Sequence, residues 1–166
     1  NIFLIENSEN IIKSSAKTVD PILRDIQSFD DEIVSRFLEL WKSKSLYYIK
    51  DTKQVVIVNE NGESLDALEI DGLTRIGNYS KKEIKKIKPN SGVRAKIDSI
   101  LVKYQISNSD INVRQKSIES LKRNIRPEHL EVLQDAYINE SDAELKTVID
   151  RLLKFAIIKY SDSNDK

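Results

Sequence analysis

The chain contains no cysteine. Disulfides and thiolate zinc sites are therefore excluded, and the redox compartment is left open. Histidine occurs once, at His129, so no second imidazole is present to share a metal. Its place in the first turn of an expected helix, beside Glu128, suggests a solvated residue. No G-x-x-x-x-G-K-[ST] phosphate loop, G-x-G-x-x-G turn or G-x-S-x-G elbow is found. Lys plus Arg equals Asp plus Glu at 27 each, for a formal net charge of zero. That balance weighs against nucleic acid as the main partner, because phosphate binding usually leaves a basic excess. No apolar run approaches the roughly 18–20 residues of a membrane span; the longest are Val55–Val58 and the lysine-interrupted LLKFAIIKY. The acidic clusters Asp30–Glu32 and Glu140–Glu144 fall at expected helix starts, where the helix dipole favours them. No residue set supports an enzyme, a cofactor or a bound metal, and the expectation is a non-enzymatic protein.

The 166 residues suffice for one domain or two small ones. A chain of this length buries about 68–70% of its unfolded surface, so a true core is feasible. It opens at Asn1 rather than Met, as expected of an excised or processed piece. Residues 1–17 show no clean period and read as a flexible lead. Asp20-Pro21 reads as a cap followed by proline at the first helical position. In DDEIVSRFLELW, Ile33, Phe37, Leu40 and Trp41 recur at helical spacing.

The period then changes to two. LYYIKDTKQVVIV reads as a β-hairpin over about residues 46–58, with a loop at Asp51–Lys53. Asn61-Gly62 is a strong turn signal, and Leu65–Ile70 is a weaker third strand. From Ser80 the pattern turns helical again. Ser80 with Glu83 matches a capping box and predicts a short basic helix ending before Pro89. Val93, Ile97, Ile100, Leu101 and Tyr104 then share one face. A helix opening at Pro127 turns Leu130, Leu133, Ala136 and Tyr137 inward, and residues 161–166 are a polar tail.

Two segments near the end resemble each other. SDINVRQKSIESL begins at Ser109 and SDAELKTVIDRLL begins at Ser141, thirty-two residues later. Asp110 and Asp142 are placed to cap their helices, and Arg114 and Lys146 lie beside the apolar seam. Leu121, Leu133, Ile149, Leu152 and Leu153 are expected in the core. A period of this length is that of a helical repeat. The resulting fold expectation is mainly α: a single domain over 18–160 of HEAT-like antiparallel helix pairs with an inserted β-hairpin.

One stretch is strongly basic: Lys81, Lys82, Lys85, Lys86, Lys88, Arg94 and Lys96, against only Glu83 before Asp98. Such a run is either a solvated face or a surface that attracts an acidic protein or anionic headgroups. Lys82, Lys85, Lys86 and Arg94, together with Tyr47 and Tyr48 of the hairpin, are the candidate partner-contact residues.

Over roughly residues 30–160 the order of segments resembles the N-terminal soluble extension of the permease subunit of urea-type ABC transporters, within the branched-chain amino acid permease family. The resemblance lies first in the helix running into LYYIKDTKQVVIV. It lies next in KIKPNSGVRAKIDSIL, where Lys86, Ile87, Asn90, Val93 and Arg94 follow the family pattern and Pro89 interrupts its paired asparagines. The third piece is the Ser-Asp-x-x-Val-Arg repeat. The resemblance implies a domain on the periplasmic side of the bacterial cytoplasmic membrane, preceded by a signal-like segment and continued by membrane-spanning helices. It implies transport of urea, short amides or branched-chain amino acids, with ATP hydrolysis in separate subunits. The implied partners are a periplasmic substrate-binding protein and the other transporter subunits. The alternative is a free-standing helical-repeat adaptor of the cytoplasm, and the reading frame on either side of the chain discriminates the two.

Overall fold

A computed structural model describes residues 2–29 and 31–161. The chain divides into two compact units, Asn1–Asp98 and Ser99–Lys166, and the division falls inside a helix.

The first unit begins with α1 (Ile2–Glu6), α2 (Ser8–Ile12), α3 (Asp20–Ile26) and α4 (Asp31–Lys42). The segment expected as a flexible lead thus carries two short helices, and it buries Leu4 and Ile11. Asp20, expected as a cap, is the first residue of α3 and pairs with Lys96. In α4 the buried stripe is Val34, Phe37, Leu38 and Trp41, while Ile33 stays exposed. Asp30 lies outside the described residues.

Five strands follow: β1 (Tyr47–Ile49), β2 (Val55–Asn61), β3 (Ser64–Leu68), β4 (Arg75–Ser80) and β5 (Ile84–Lys86). They form one antiparallel sheet in the order β4-β3-β2-β1-β5. β2 serves two neighbours with different parts of its length. Val55 and Val56 pair with β1, whereas Ile57–Asn61 pair with β3. Ile49, Val56, Leu65, Ala67 and Ile84 are buried together, with Tyr47, Val58, Ile76 and Tyr79 packed against them. The β2–β3 turn has Asn61 opposite Ser64, with Gly62 at φ 62°. Glycine at the first central position of a two-residue hairpin loop meets that positive φ at no steric cost.

The expectation of a mainly α repeat fold with one hairpin is therefore overturned: the protein is α+β, with a five-stranded antiparallel sheet. The hairpin forms where expected, and β3 realises the weaker third strand. The expected basic helix after Ser80 does not form. Ile84 and Ile87 are spaced as on a helix, but β1 offers an open edge. Ile84 pairs with Ile49 across that edge, and both are buried. The capping-box residues do interact, since the Ser80 N–H and Oγ both donate to Glu83 Oε2, at 2.8 and 2.7 Å. They close a turn between β4 and β5 rather than opening a helix. β4 escapes detection because RIGNYS has no apolar alternation, and Ile76 sits at a register shift opposite Ala67 and Leu68.

α5 (Ser91–Ile106) is the helix that crosses the division. Asn90 caps it, with Oδ1 accepting from the Val93 N–H at 2.9 Å. Gly92 lies in its first turn, where a Cβ would stand 2.6 Å from the Ala16 Cβ. Gly→Ala inside a helix ordinarily stabilises by about 1 kcal/mol. Gly92→Ala is expected to do the reverse here, costing about 1–3 kcal/mol as an overpacked site. Urea unfolding followed by circular dichroism checks this; an unchanged or raised midpoint would show that the 2–17 segment does not pack on α5.

The second unit holds the rest of α5, then α6 (Ile111–Arg123), a single 3-10 turn at Pro127–His129, α7 (Leu130–Asn139) and α8 (Ala143–Ser161). Its buried core contains Ile106, Ile118, Leu121, Ile125, Leu133, Leu145, Ile149, Leu152 and Ala156. Of the five expected seam residues, four are buried and Leu153 is half-buried. Tyr137, expected inside, is exposed under the Lys146 ammonium. His129, expected in solvent, is 2% exposed. Its Nδ1 accepts from the Arg126 N–H at 3.2 Å, which closes the turn before α7. The polar tail expected at 161–166 begins where α8 ends, and residues 162–166 lie outside the described residues.

Candidate functional site

Two places gather the residues singled out in the sequence. The first is the β1–β5 ribbon of the first unit. Tyr47 pairs with Lys86, Tyr48 with Lys85 and Ile49 with Ile84. Directly opposed residues share a face of the sheet, and successive residues alternate faces. Tyr47 and Lys86 therefore share the face of Ile49 and Ile84, and the Lys86 Nζ stands 5.0 Å from the Tyr47 ring centre. Tyr48 and Lys85 share the other face. There the Lys53 Nζ lies 5.8 Å from the Tyr48 ring centre. Lys53 reaches this place from the β1–β2 loop, with φ at 59° and its N–H on the Ile49 carbonyl.

A shallow groove of about 430 Å³ runs along this ribbon, lined by Ile12, Tyr48, Ile84, Lys85, Lys86, Ile87 and Lys88. The lysines are exposed and the tyrosines half-buried. Cations over aromatic faces hold such side chains partly ordered. Each face carries its own aromatic ring with an ammonium over it, Lys53 at Tyr48 and Lys86 at Tyr47, and the exposed lysines along the groove suit carboxylate-bearing side chains. Lys82 is exposed in the adjoining turn. Arg94 is set apart from these strands: it sits in the first turn of α5, half-buried, with its Nε out of solvent. Lys53 and Ile12 lie outside the contact set expected from the sequence. Lys53 is five residues from Tyr48 in the chain, and only the folded hairpin loop brings its ammonium to that ring; nothing in the sequence marks Ile12.

The second place is the repeat in the second unit. Asp110 caps α6, accepting from the Asn112 N–H at 2.8 Å, and Asp142 caps α8, accepting from the Leu145 N–H at 2.8 Å. The basic residue four positions after each cap reaches back to the chain before it. Arg114 Nη1 donates to the Asn108 carbonyl at 2.8 Å, and Lys146 Nζ donates to the Glu140 carbonyl at 3.3 Å. Residues 108 and 140 are themselves one repeat apart. Arg114 also holds Glu140 through two parallel bonds, Nε to Oε2 at 2.9 Å and Nη2 to Oε1 at 3.0 Å. The Glu140 side chain is 2% exposed and that of Arg114 14%. Hydrogen bonding from Arg114 lowers the Glu140 pKa below the usual carboxylate range, against the opposing effect of burial. Glu140, expected with the rest of the Glu140–Glu144 cluster to complement a helix dipole, instead pairs with Arg114, and α8 begins at Ala143. An adjoining cleft of about 540 Å³ exposes part of this pair, but the guanidinium donors are committed to Glu140, Asn108 and Ser109. The pair acts as a brace between segments.

Among the described residues no group of three or more His, Asp or Glu side chains is placed to hold a metal ion, and no helix is long and apolar enough to cross a membrane. Comparison with protein-family models, with curated proteins and with solved structures gave no match.

Proposed function

We propose that the chain is the extracytoplasmic domain of an ABC transporter permease of the urea or branched-chain amino acid type, and that it works by protein contact rather than catalysis. One observation carries the reading. The two segments with the most specific resemblance, Leu46–Val58 and Lys86–Arg94, meet in a single structural piece. β1 pairs with β5, the Ile87 N–H donates to the Leu46 carbonyl at 2.9 Å, and Asn90 then caps α5. That piece leaves Lys53, Lys85 and Lys88 exposed, with Tyr48 half-buried beside them. Its chemistry fits an acidic face on the periplasmic substrate-binding protein that delivers urea, a short amide or a branched-chain amino acid. The whole permease would be embedded in the cytoplasmic membrane, with this domain on the periplasmic side.

The test is binding of the cognate substrate-binding protein to the wild-type domain and to the K82E/K85E/K86E variant. The charge reversal is expected to weaken binding at least tenfold without unfolding the domain. The difference should shrink at high salt, because exposed charges are screened over a Debye length of about 8 Å at physiological ionic strength. Equal binding by both proteins would remove the ribbon from the contact. Absence of binding by either would leave the domain a structural extension of the permease.

A further inference from the structure

The last helix carries an exposed stripe that its own core does not use. The buried side of α8 is Leu145, Ile149, Leu152 and Ala156. Arg151, Phe155 and Ile158 follow one another at intervals of four and three, so they share another stripe. Phe155 is 54% exposed and Ile158 67%. Lys154 and Lys159 flank them, the Lys159 Nζ lying 6.0 Å from the Phe155 ring centre. A groove beside Phe155 is lined by Arg151 and by Lys122 of α6. The carboxylates nearby are already engaged: Asp150 by Lys154 at 2.7 Å and Glu119 by Lys122 at 2.5 Å. Among the described residues neither Arg151 nor Lys159 enters an ion pair. The stripe is therefore apolar at its centre and basic at its margins.

We infer that this stripe of α8 seats on an anionic lipid surface. A protein partner is the poorer fit, because the cores of protein interfaces are depleted in lysine. At a bilayer, by contrast, lysine and arginine lay their stems along the apolar surface and carry their charge to the phosphates, while Phe and Ile enter the acyl boundary. The basic margin complements the negative potential of anionic headgroups. The inference uses none of the ribbon residues and does not rest on the transporter reading.

Co-sedimentation with vesicles tests it. The chain is expected to sediment with phosphatidylcholine–phosphatidylglycerol vesicles and far less with phosphatidylcholine alone. The R151E/K159E variant should lose at least about fivefold in binding, the factor that a single cation near the surface supplies. F155S/I158S should lose at least as much while keeping wild-type circular dichroism, since both side chains are exposed. K82E/K85E/K86E should bind as wild type. The inference is overturned if wild type sediments equally little with both vesicle types, or if F155S/I158S binds as wild type does. A concentration-dependent dimer that F155S/I158S abolishes, without vesicle binding, would assign the stripe to a second copy of the chain and overturn it as well.

Discussion

Arg114→Ala is expected to destabilise the helical unit by about 3–5 kcal/mol, the range for removing one partner of a buried ion pair. The loss comes less from the missing attraction than from what remains. Glu140, 2% exposed, would keep its charge with only backbone N–H donors, among them that of Asp142 at 2.9 Å. The Asn108 and Ser109 carbonyls would also lose their donor. Two further results separate this account from a simple volume effect. The double variant R114L/E140L should recover most of the loss, because apolar residues of similar size often replace a buried pair at little cost. Stability should also depend on pH in a defined direction. The folded pKa of Glu140 lies below its unfolded value, so its contribution is fully present above the ordinary carboxylate range. It is lost as pH falls through the folded value. The acid-side slope should flatten in E140Q. Urea unfolding by far-ultraviolet circular dichroism measures all of these; R114A within about 0.5 kcal/mol of wild type, the usual surface result, would sink the brace.

The second large effect is expected at Trp41. Its side chain is fully buried in α4, and its ring centre lies 5.5 Å from that of Phe37. Trp41→Ala should cost about 3–5 kcal/mol, as aromatic truncations in cores do. Trp41→Phe should cost markedly less. The Nε1 donor is buried without a hydrogen-bond partner among the described residues, and phenylalanine removes that donor together with part of the volume. A burden of about 1–3 kcal/mol for an unsatisfied group offsets much of the cavity. Equal losses for the two variants would mean the indole nitrogen is satisfied in solution.

Half of this fold could be read in the sequence, for reasons visible at particular residues. Asp110 and Asp142 were legible as caps because capping depends on local chain geometry, and both do cap. Leu121, Leu133, Ile149 and Leu152 were legible because a helix buries a periodic stripe. Hairpin β1–β2 was legible from the density of Tyr, Val and Ile. β5 was not, because SKKEIKKIK has helical spacing and a capping-box pair; only the open edge of β1, a non-local fact, turns it into a strand. β4 was hidden by Gly77, Asn78 and an irregular register. Buried polar groups were also illegible. Glu140 and His129 have no apolar signature of their own, and their burial depends on Arg114 and on the Arg126 backbone. For the candidate contact surface, the sequence supplied Tyr48 and Lys85 as separate segments. Their pairing, and the arrival of Lys53 above Tyr48, belong to the sheet.

The chain has one tryptophan and one histidine. Trp41 lies in the buried core of the first unit and His129 in the second, and neither is in contact with bulk solvent. This distribution makes the protein its own pair of spectroscopic labels. Indole fluorescence, undiluted by any second emitter of its kind, follows the loosening of the first unit. The imidazole ring protons, a single set in a proton spectrum, follow the second. A denaturant series on one unlabelled sample therefore yields two separate melting curves, and a lag between them would reveal which unit gives way first.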